Sequence, residues 1–163
     1  MSKFNDSTLT RRALFTGAGR AGVAAAVLGG SALTSQAAMA DGHGKVMANI
    51  KEHMGSSAYE ESASIKIDAP IIAENGAMVP VKITIEHPMD ADNYIQTIAV
   101  FVDKNPTPFA GLYNLTPANG KAFVSARLKI GKTSQVRAIA KTNGGKMIGA
   151  SKEVKVTIGG CGG

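Results

Sequence analysis

The 163-residue sequence predicts an all-β fold, an antiparallel β-sandwich that follows a short helix and precedes a flexible tail. Three observations predict it. Apolar and polar residues alternate with a period of two over much of residues 65–158, as in strands that bury one face. Asn-Gly and Gly-Gly pairs, which suit tight turns, separate these runs. A chain of this length with 44% hydrophobic residues is large enough for one domain with one core.

Residues 1–40 are predicted to be a cleaved export signal rather than part of the domain. Arg11 and Arg12 precede a weakly apolar stretch over 13–33, and Ala38-Met39-Ala40 has the small-x-small pattern of a cleavage site. The arginine pair indicates the twin-arginine route, which exports folded protein to the periplasm. We therefore predict cleavage after Ala40.

A membrane-spanning helix is the alternative for this segment. Repeated glycines and Arg20 interrupt the apolar stretch, which disfavours a span. No contact with a membrane beyond export is expected.

Charge is unevenly distributed along the chain. The signal carries four of the 18 basic and one of the 12 acidic residues, so the formal charge of +6 falls to +3 in the mature chain. Residues 41–103 contain four basic and ten acidic residues, whereas residues 104–163 contain ten basic and one acidic. This asymmetry is able to steer an acidic partner or small anions, or to form a solvated basic face. Nucleic acid is not expected as a partner, because an exported protein rarely meets it and aromatic–basic interleaving is absent.

One helix is predicted at the start of the mature chain. Val46, Ile50 and Met54 recur every four residues, and Gly55 follows as a stop signal. This spacing places the three apolar side chains on one helix face.

The rest of the mature chain, up to residue 158, is predicted to form about seven short strands. Two prolines exclude the Lys104–Pro108 stretch from a strand interior. About seven strands separated by tight turns are typical of an immunoglobulin-like sandwich, although the Cys–Trp–Cys core of antibody domains is absent. The main alternating runs are Ile65–Ile67, Val81–Ile85, Ile98–Val102, Ala122–Ile130, Val136–Ala140 and Val154–Ile158.

Spacing in the sequence predicts neither a catalytic site nor a metal site. His43 and His53 are ten residues apart and flank the predicted helix, and His87 lies at a strand-to-turn junction. The five methionines of the mature chain lack the clustering of a copper site and are better explained as core residues. We therefore expect no enzyme active site and no cofactor.

The C-terminus is the most informative part of the sequence. The only cysteine, Cys161, lies in the tail Gly159-Gly160-Cys161-Gly162-Gly163. Glycine is conformationally free, so the tail is predicted to be a flexible arm that holds the thiol roughly 10 Å from the body. A thiol with a reference pKa of about 8.5 is only a few per cent thiolate at pH 7. This favours an attachment point activated inside a partner over an autonomous catalyst, and over an incidental cysteine in a frayed tail.

The twin-arginine signal, the small sandwich and the Gly159–Gly163 tail together resemble the SoxY family, the carrier subunit of the periplasmic sulfur-oxidation (Sox) system. The resemblance covers the whole chain, and all five tail positions match the family pattern. It implies that residues 41–158 are a SoxY-like domain. It further implies that Cys161 covalently holds sulfur intermediates of thiosulfate oxidation, as a Cys-S-thiosulfonate and a persulfide, while Gly159, Gly160, Gly162 and Gly163 act as a swinging arm.

The resemblance also implies partners. The cytochrome SoxXA joins thiosulfate oxidatively to the thiol, the hydrolase SoxB releases sulfate, and SoxCD, where present, oxidises the remaining sulfane sulfur. A SoxZ-like subunit without its own signal forms a heterodimer with the carrier and is exported with it.

Three other functions stay open at the level of sequence. A sulfur carrier with a C-terminal thiocarboxylate ends in Gly-Gly, but such carriers are shorter and not exported. A periplasmic thiol redox protein would act through mixed disulfides, since Cys-x-x-Cys is absent. A plain binding module would have no use for the tail.

Overall fold

The computed structural model describes residues 36–158, and the side chains of residues 43–157. The predicted signal up to residue 35 and the Gly159–Gly163 tail lie outside the described residues. Within that range the structure has one α-helix, nine strands and a short 3₁₀ helix, Pro117–Asn119. The helix is α1, Gln36–Met54, and the strands are β1 Glu60–Glu61, β2 Ile65–Asp68, β3 Ile72–Asn75, β4 Val79–Ile85, β5 Ile95–Val102, β6 Phe109–Asn114, β7 Ala122–Leu128, β8 Ser134–Thr142 and β9 Met147–Ile158.

Helix α1 confirms the predicted helix but begins earlier. It has 19 residues, so it includes residues 36–40 of the predicted signal. Gly55 ends it with a positive φ of 84° and a hydrogen bond from its N–H to the Lys51 carbonyl, 2.9 Å long. Val46, Ile50 and Met54 are all buried, as their spacing predicted.

The strands form two sheets, which confirms the β-sandwich. The larger sheet has the order β1-β9-β8-β5-β6, with β3 also paired to β9, and the smaller sheet has the order β2-β4-β7. Most strand pairs are antiparallel, as predicted, but β1 and β3 run parallel to β9. Alternation of apolar residues locates a strand but does not encode the direction of its neighbour.

Three strands lack a clear alternation of buried apolar and exposed polar residues. β1 has only two residues, and β3 buries only Ala73. β6 has no fully buried residue, so its sequence lacks a clear inward-facing set. The six alternating runs coincide with the other six strands, so the prediction of about seven strands falls short of the nine present.

Turn signals separate the predicted strands at four places, and only one of the four joins two paired neighbouring strands. They are Asn75-Gly76, Asn119-Gly120, Gly131-Lys132 and Asn143-Gly144-Gly145. Asn143–Gly145 closes the β8–β9 hairpin, with Gly145 at φ 86°. The segments containing Asn75-Gly76 and Gly131-Lys132 instead connect strands of different sheets, and Gly120 ends the 3₁₀ helix at φ 65°. Asn-Gly therefore marks a chain reversal here without fixing which sheet the chain enters next.

Two apolar layers hold the domain together. The first lies between the two sheets and includes Ile83, Ile98 and Val136, each at most 1% exposed. The second lies on the other face of the larger sheet, where Ile50 of α1 packs with Phe101 of β5. Since α1 covers this face, the fold has three layers. No helix within the described residues is long and apolar enough to cross a membrane.

Candidate functional site

Strand β9 carries the chain towards the predicted attachment site. It runs from Met147 to Ile158 and pairs antiparallel with β8 from Met147 to Val154. Val154 is buried, whereas Lys155 and Thr157 are exposed. This alternation fixes which face of the strand points into the core up to the point where the tail begins.

The last residues of β9 are tied to the body from two sides. The Lys155 N–H donates to the Ile71 carbonyl at 2.9 Å, and the Val156 N–H donates to Thr133 Oγ1 at 3.0 Å. The Thr157 hydroxyl donates to the Glu74 carbonyl at 3.2 Å. Ile158 is still in register with Asn75 of β3. Ordered strand structure therefore extends to the residue before the glycines.

The predicted site residues Cys161, Gly159, Gly160, Gly162 and Gly163 lie outside the described residues, as do Arg11 and Arg12. The structure nevertheless fixes the start of the tail at Ile158. Two glycines separate Ile158 from Cys161. At about 3.3–3.6 Å per residue, the Cys161 Cα lies no more than roughly 10–11 Å from the Ile158 Cα in any conformation. The end of β9 therefore limits how far the predicted attachment residue can lie from the sandwich.

The two oppositely charged halves of the sequence are not separated in the fold. In the larger sheet β1, β3 and β5 come from the acidic half, and β6, β8 and β9 come from the basic half. Lys146 pairs with Glu60 at 2.9 Å, and Arg137 pairs with Asp103 at 2.7 Å, each across the two halves. The separation of acidic and basic residues along the sequence therefore does not produce an equally large charge separation in the folded protein.

A buried charge cluster under the helix side of the larger sheet was missed by the sequence analysis. Arg137 on β8 is 8% exposed. Its Nε and Nη2 donate to the two carboxylate oxygens of Asp103, at 3.3 and 2.7 Å, and its Nη1 donates to the Tyr59 hydroxyl. Burial alone lowers the pKa of the Arg137 guanidinium, but the bonds and charge of Asp103, aided by Tyr59, outweigh it and leave this pKa raised. In the sequence, the only sign of this cluster is that a basic residue, Arg137, lies within an otherwise apolar predicted strand.

Tyr59 is held in place by a glycine as well as by Arg137. A Cβ at Gly149 would lie 2.5 Å from Tyr59 Cδ2 and 2.7 Å from Ile139 Cδ1. Only glycine at 149 lets the ring approach β9 this closely. An open groove of about 310 Å³ lies beside this contact, lined by Glu61, Ser62, Ala63, Gly149, Ala150 and Ser151.

The three histidines lie apart and play local roles. His43 is exposed, and the His53 ring stacks on Phe109 with centroids 3.7 Å apart. His87 Nδ1 lies 2.7 Å from the neighbouring Pro88 carbonyl oxygen. Across the residues with described side chains, no group of three or more His, Cys, Asp or Glu is close enough to hold a metal ion.

Comparison with known families decides the relationship. The family model described as sulfur oxidation protein SoxY matches residues 50–161, which is more than half of the chain, and the match ends on Cys161. The chain belongs to the SoxY family. Among curated proteins no sequence matches it.

Solved structures agree with this assignment. The sulfur carrier protein SoxY from Chlorobium limicola f thiosulfatophilum is 34% identical with a TM-score of 0.61, and the alignment covers 71% of this chain and 99% of that one. Superoxide reductase (neelaredoxin) from Ignicoccus hospitalis is 26% identical with a TM-score of 0.52, covering 57% of this chain and 80% of that one. A point variant of that reductase gives nearly the same values, 26% and 0.51. The sandwich is therefore shared more widely than the SoxY family.

Proposed function

We propose that this SoxY-family protein is a periplasmic sulfur carrier in thiosulfate oxidation and that Cys161 is its covalent attachment point. The observation that carries the proposal is the family match, which ends on Cys161 three residues beyond the end of β9. The similar structure from Chlorobium is described as a sulfur carrier protein, which supports the same role.

The geometry of the body suits a carrier whose reactive atom must enter other proteins. β9 is anchored through Thr157, so the arm starts from a fixed point. Gly159 and Gly160 add reach without side chains, which suits passage through a narrow channel. Gly162 and Gly163 likewise add no side chains on the C-terminal side of Cys161. The proposed attachment needs no metal or cofactor on this chain, since the adduct itself is the cargo.

The proposed chemistry is oxidation followed by hydrolysis. The Cys161 thiol and thiosulfate form a sulfur–sulfur bond, releasing one proton and two electrons to the cytochrome SoxXA. Water then attacks the terminal sulfonate sulfur in SoxB, releasing sulfate and leaving a persulfide on Cys161. SoxCD, where present, oxidises that outer sulfur to a sulfonate, with three water molecules supplying the oxygen atoms and six electrons passing to an electron acceptor of SoxCD as six protons are released. In each step the partner activates the group, and this chain holds and presents it.

Export and assembly are part of the proposal. Arg11-Arg12 would direct the folded chain through the twin-arginine route, with cleavage after Ala40. Removal of residues 36–40 shortens α1 but leaves Val46, Ile50 and Met54, which make its core contacts. A SoxZ-like subunit would be carried along as a heterodimeric partner. Edman sequencing of the periplasmic protein should begin at Asp41, and a start more than a few residues away would contradict this step.

The test of the carrier role uses the fact that the chain has one cysteine. Cys161→Ser should abolish thiosulfate-dependent electron transfer in the reconstituted Sox system, while the urea midpoint stays unchanged. The matched control is the double variant Cys161→Ser, Ser125→Cys, which moves the thiol to an exposed position on β7. It should remain inactive, because a thiol on the body lacks the arm. Full activity in Cys161→Ser would refute the proposal.

A mass measurement tests the adduct itself. Intact protein from periplasm of thiosulfate-grown cells should carry extra mass that reductant removes and that maps to the peptide containing Cys161. Modification of the Gly163 carboxylate would instead favour a thiocarboxylate carrier. A bare thiol or a simple disulfide dimer would leave only the fold and the family.

A further inference from the structure

Large apolar side chains are exposed at few places on the described surface, and most of these are beside the start of the arm. Ile71, Ile72 and Met78 are 70, 58 and 63% exposed, and the fourth, Phe123, is 45% exposed on β7 of the other sheet. We call Ile71, Ile72 and Met78 the arm-root patch. Exposed apolar side chains grouped in one region commonly mark an interaction site.

The arm-root patch is tied to the end of β9 by backbone pairing. The Ile71 carbonyl accepts the Lys155 N–H, and Ile72 is in register with Lys155. Further along β3, Asn75 is in register with Ile158, and Met78 follows three residues later, before β4 begins. Because a strand rises about 3.3 Å per residue, the start of β3 lies roughly 10 Å from the level of Ile158.

The length of the arm decides what covers this patch. The Cys161 Cα cannot move farther than roughly 10–11 Å from the Ile158 Cα, so an enzyme that takes the thiol into its active site must place its surface against this end of the sandwich. Even a small transient interface covers on the order of 600 Å² per partner, which as a disc has a radius of about 14 Å. A footprint of that size centred on the arm includes β3 and the turn after it.

Charge around the patch is mixed, so its apolar side chains are what distinguish it. Lys155 lies next to Ile72 in register, and Lys132 is exposed in the loop that leads to Thr133, the residue that bonds Val156. Glu74 is the exposed acidic residue of β3. Two more acidic residues are exposed nearby, Glu153 two residues before Lys155 and Asp68 three residues before Ile71, so neither sign of charge predominates at this end.

We infer that the arm-root patch is the docking surface for the hydrolase that acts on the loaded Cys161, and that the entrance to its active site presents an apolar contact. This rests on the proposed function, because it assumes that Cys161 is delivered to enzymes. The patch binds the enzyme equally before and after the chemical step, so it sets the affinity of the encounter rather than the rate of the chemistry.

The test compares two surface variants of the mature protein, each assembled with the SoxZ-like subunit and loaded with thiosulfonate on Cys161. In the first, Ile72→Glu and Met78→Glu place acid on the patch. In the matched control, Phe123→Glu places it on the remote strand β7. Sulfate release by the SoxB hydrolase is measured as a function of carrier concentration. The double variant should show a KM at least tenfold higher with kcat within twofold, and the control should match the unmodified chain.

Two further measurements keep the result interpretable. Thermal unfolding checks that each variant folds, as expected for exposed positions. Alkylation of the unloaded Cys161 thiol by iodoacetamide, a neutral reagent that needs no docking, should proceed at the same rate in all three proteins. A general change in thiol reactivity would appear in alkylation as well as in KM and would overturn the inference.

Other outcomes also overturn it. An unchanged KM in the double variant means that the hydrolase docks elsewhere. A shift in the sedimentation coefficient without a change in KM means that a second copy or a partner subunit covers the patch. If SoxB does not turn over the loaded unmodified chain at all, the proposed function fails and this inference fails with it, so the two failures are distinguishable.

Discussion

Gly149→Ala is the substitution whose effect on stability follows most directly from the structure. The new methyl group would lie 2.5 and 2.6 Å from two ring carbons of Tyr59 and 2.7 Å from Ile139 Cδ1. Real Cβ atoms do not approach other carbons this closely, so Tyr59 or the strand must move. Ile139 is fully buried and has little room to yield. The ring of Tyr59 is therefore the part that shifts.

The expected loss combines three contributions. Overpacking a well-packed contact costs about 1–3 kcal/mol. Loss of the Tyr59 hydroxyl from Arg137 removes a hydrogen bond to a charged group, which contributes about 1.5–3 kcal/mol. Alanine also restricts the unfolded chain, which stabilises by about 0.4–1 kcal/mol. Because part of the Tyr59 bond survives if the ring moves only slightly, we expect a net loss of about 2–3 kcal/mol.

Urea denaturation measures this loss as a fall in midpoint at constant m-value. Gly144→Ala is the matched control, since its nearest heavy atom would be Thr142 Oγ1 at 3.8 Å, and it should change stability by less than about 0.5 kcal/mol. In a Tyr59→Ala background, Gly149→Ala should become much less destabilising, because the atoms it meets are mostly gone. Equal midpoints for Gly149→Ala and Gly144→Ala would refute the packing argument.

The other predictions also concern stability. Asp103→Asn should cost about 3 kcal/mol in urea denaturation, because the charge of Arg137 stays buried against a neutral partner. Glu86→Gln, whose pair with Lys66 is about two-thirds exposed, should change stability by less than about 1 kcal/mol, and similar losses for both would contradict the argument. Because the pKa of Arg137 is raised in the folded state, the stability that its ionised form contributes is fully present below its unfolded-state pKa. That stability is lost only as pH rises through the still higher folded-state pKa. The loss of stability in Asp103→Asn should therefore be equal at pH 7 and pH 9. Ile50→Ala should cost about 2–5 kcal/mol by opening a cavity under α1 while leaving the rate of Cys161 alkylation unchanged, and a slower alkylation would show that the helix layer influences the arm.

The strands were predictable where burial is one-sided. β4 has alternating buried and exposed residues, and the sequence shows the same alternation. β3 and β6 lack it, because β3 buries one residue and β6 is only partly covered on each face. Helix α1 was found from Val46, Ile50 and Met54, but its start was not, since no apolar repeat continues before residue 46.

The sequence by itself determined the elements that depend on neighbouring residues: the period of each strand, the helix stop at Gly55, the single cysteine between glycines and the family pattern it completes. The tertiary structure decided what depends on residues far apart in the chain. It placed β3 beside the end of β9, brought Asp103 to Arg137, mixed the acidic and basic halves, and left Ile71, Ile72 and Met78 exposed next to the arm. Alternation records which side of a strand is buried, whereas strand order and direction follow from packing of the whole chain, which no local pattern contains.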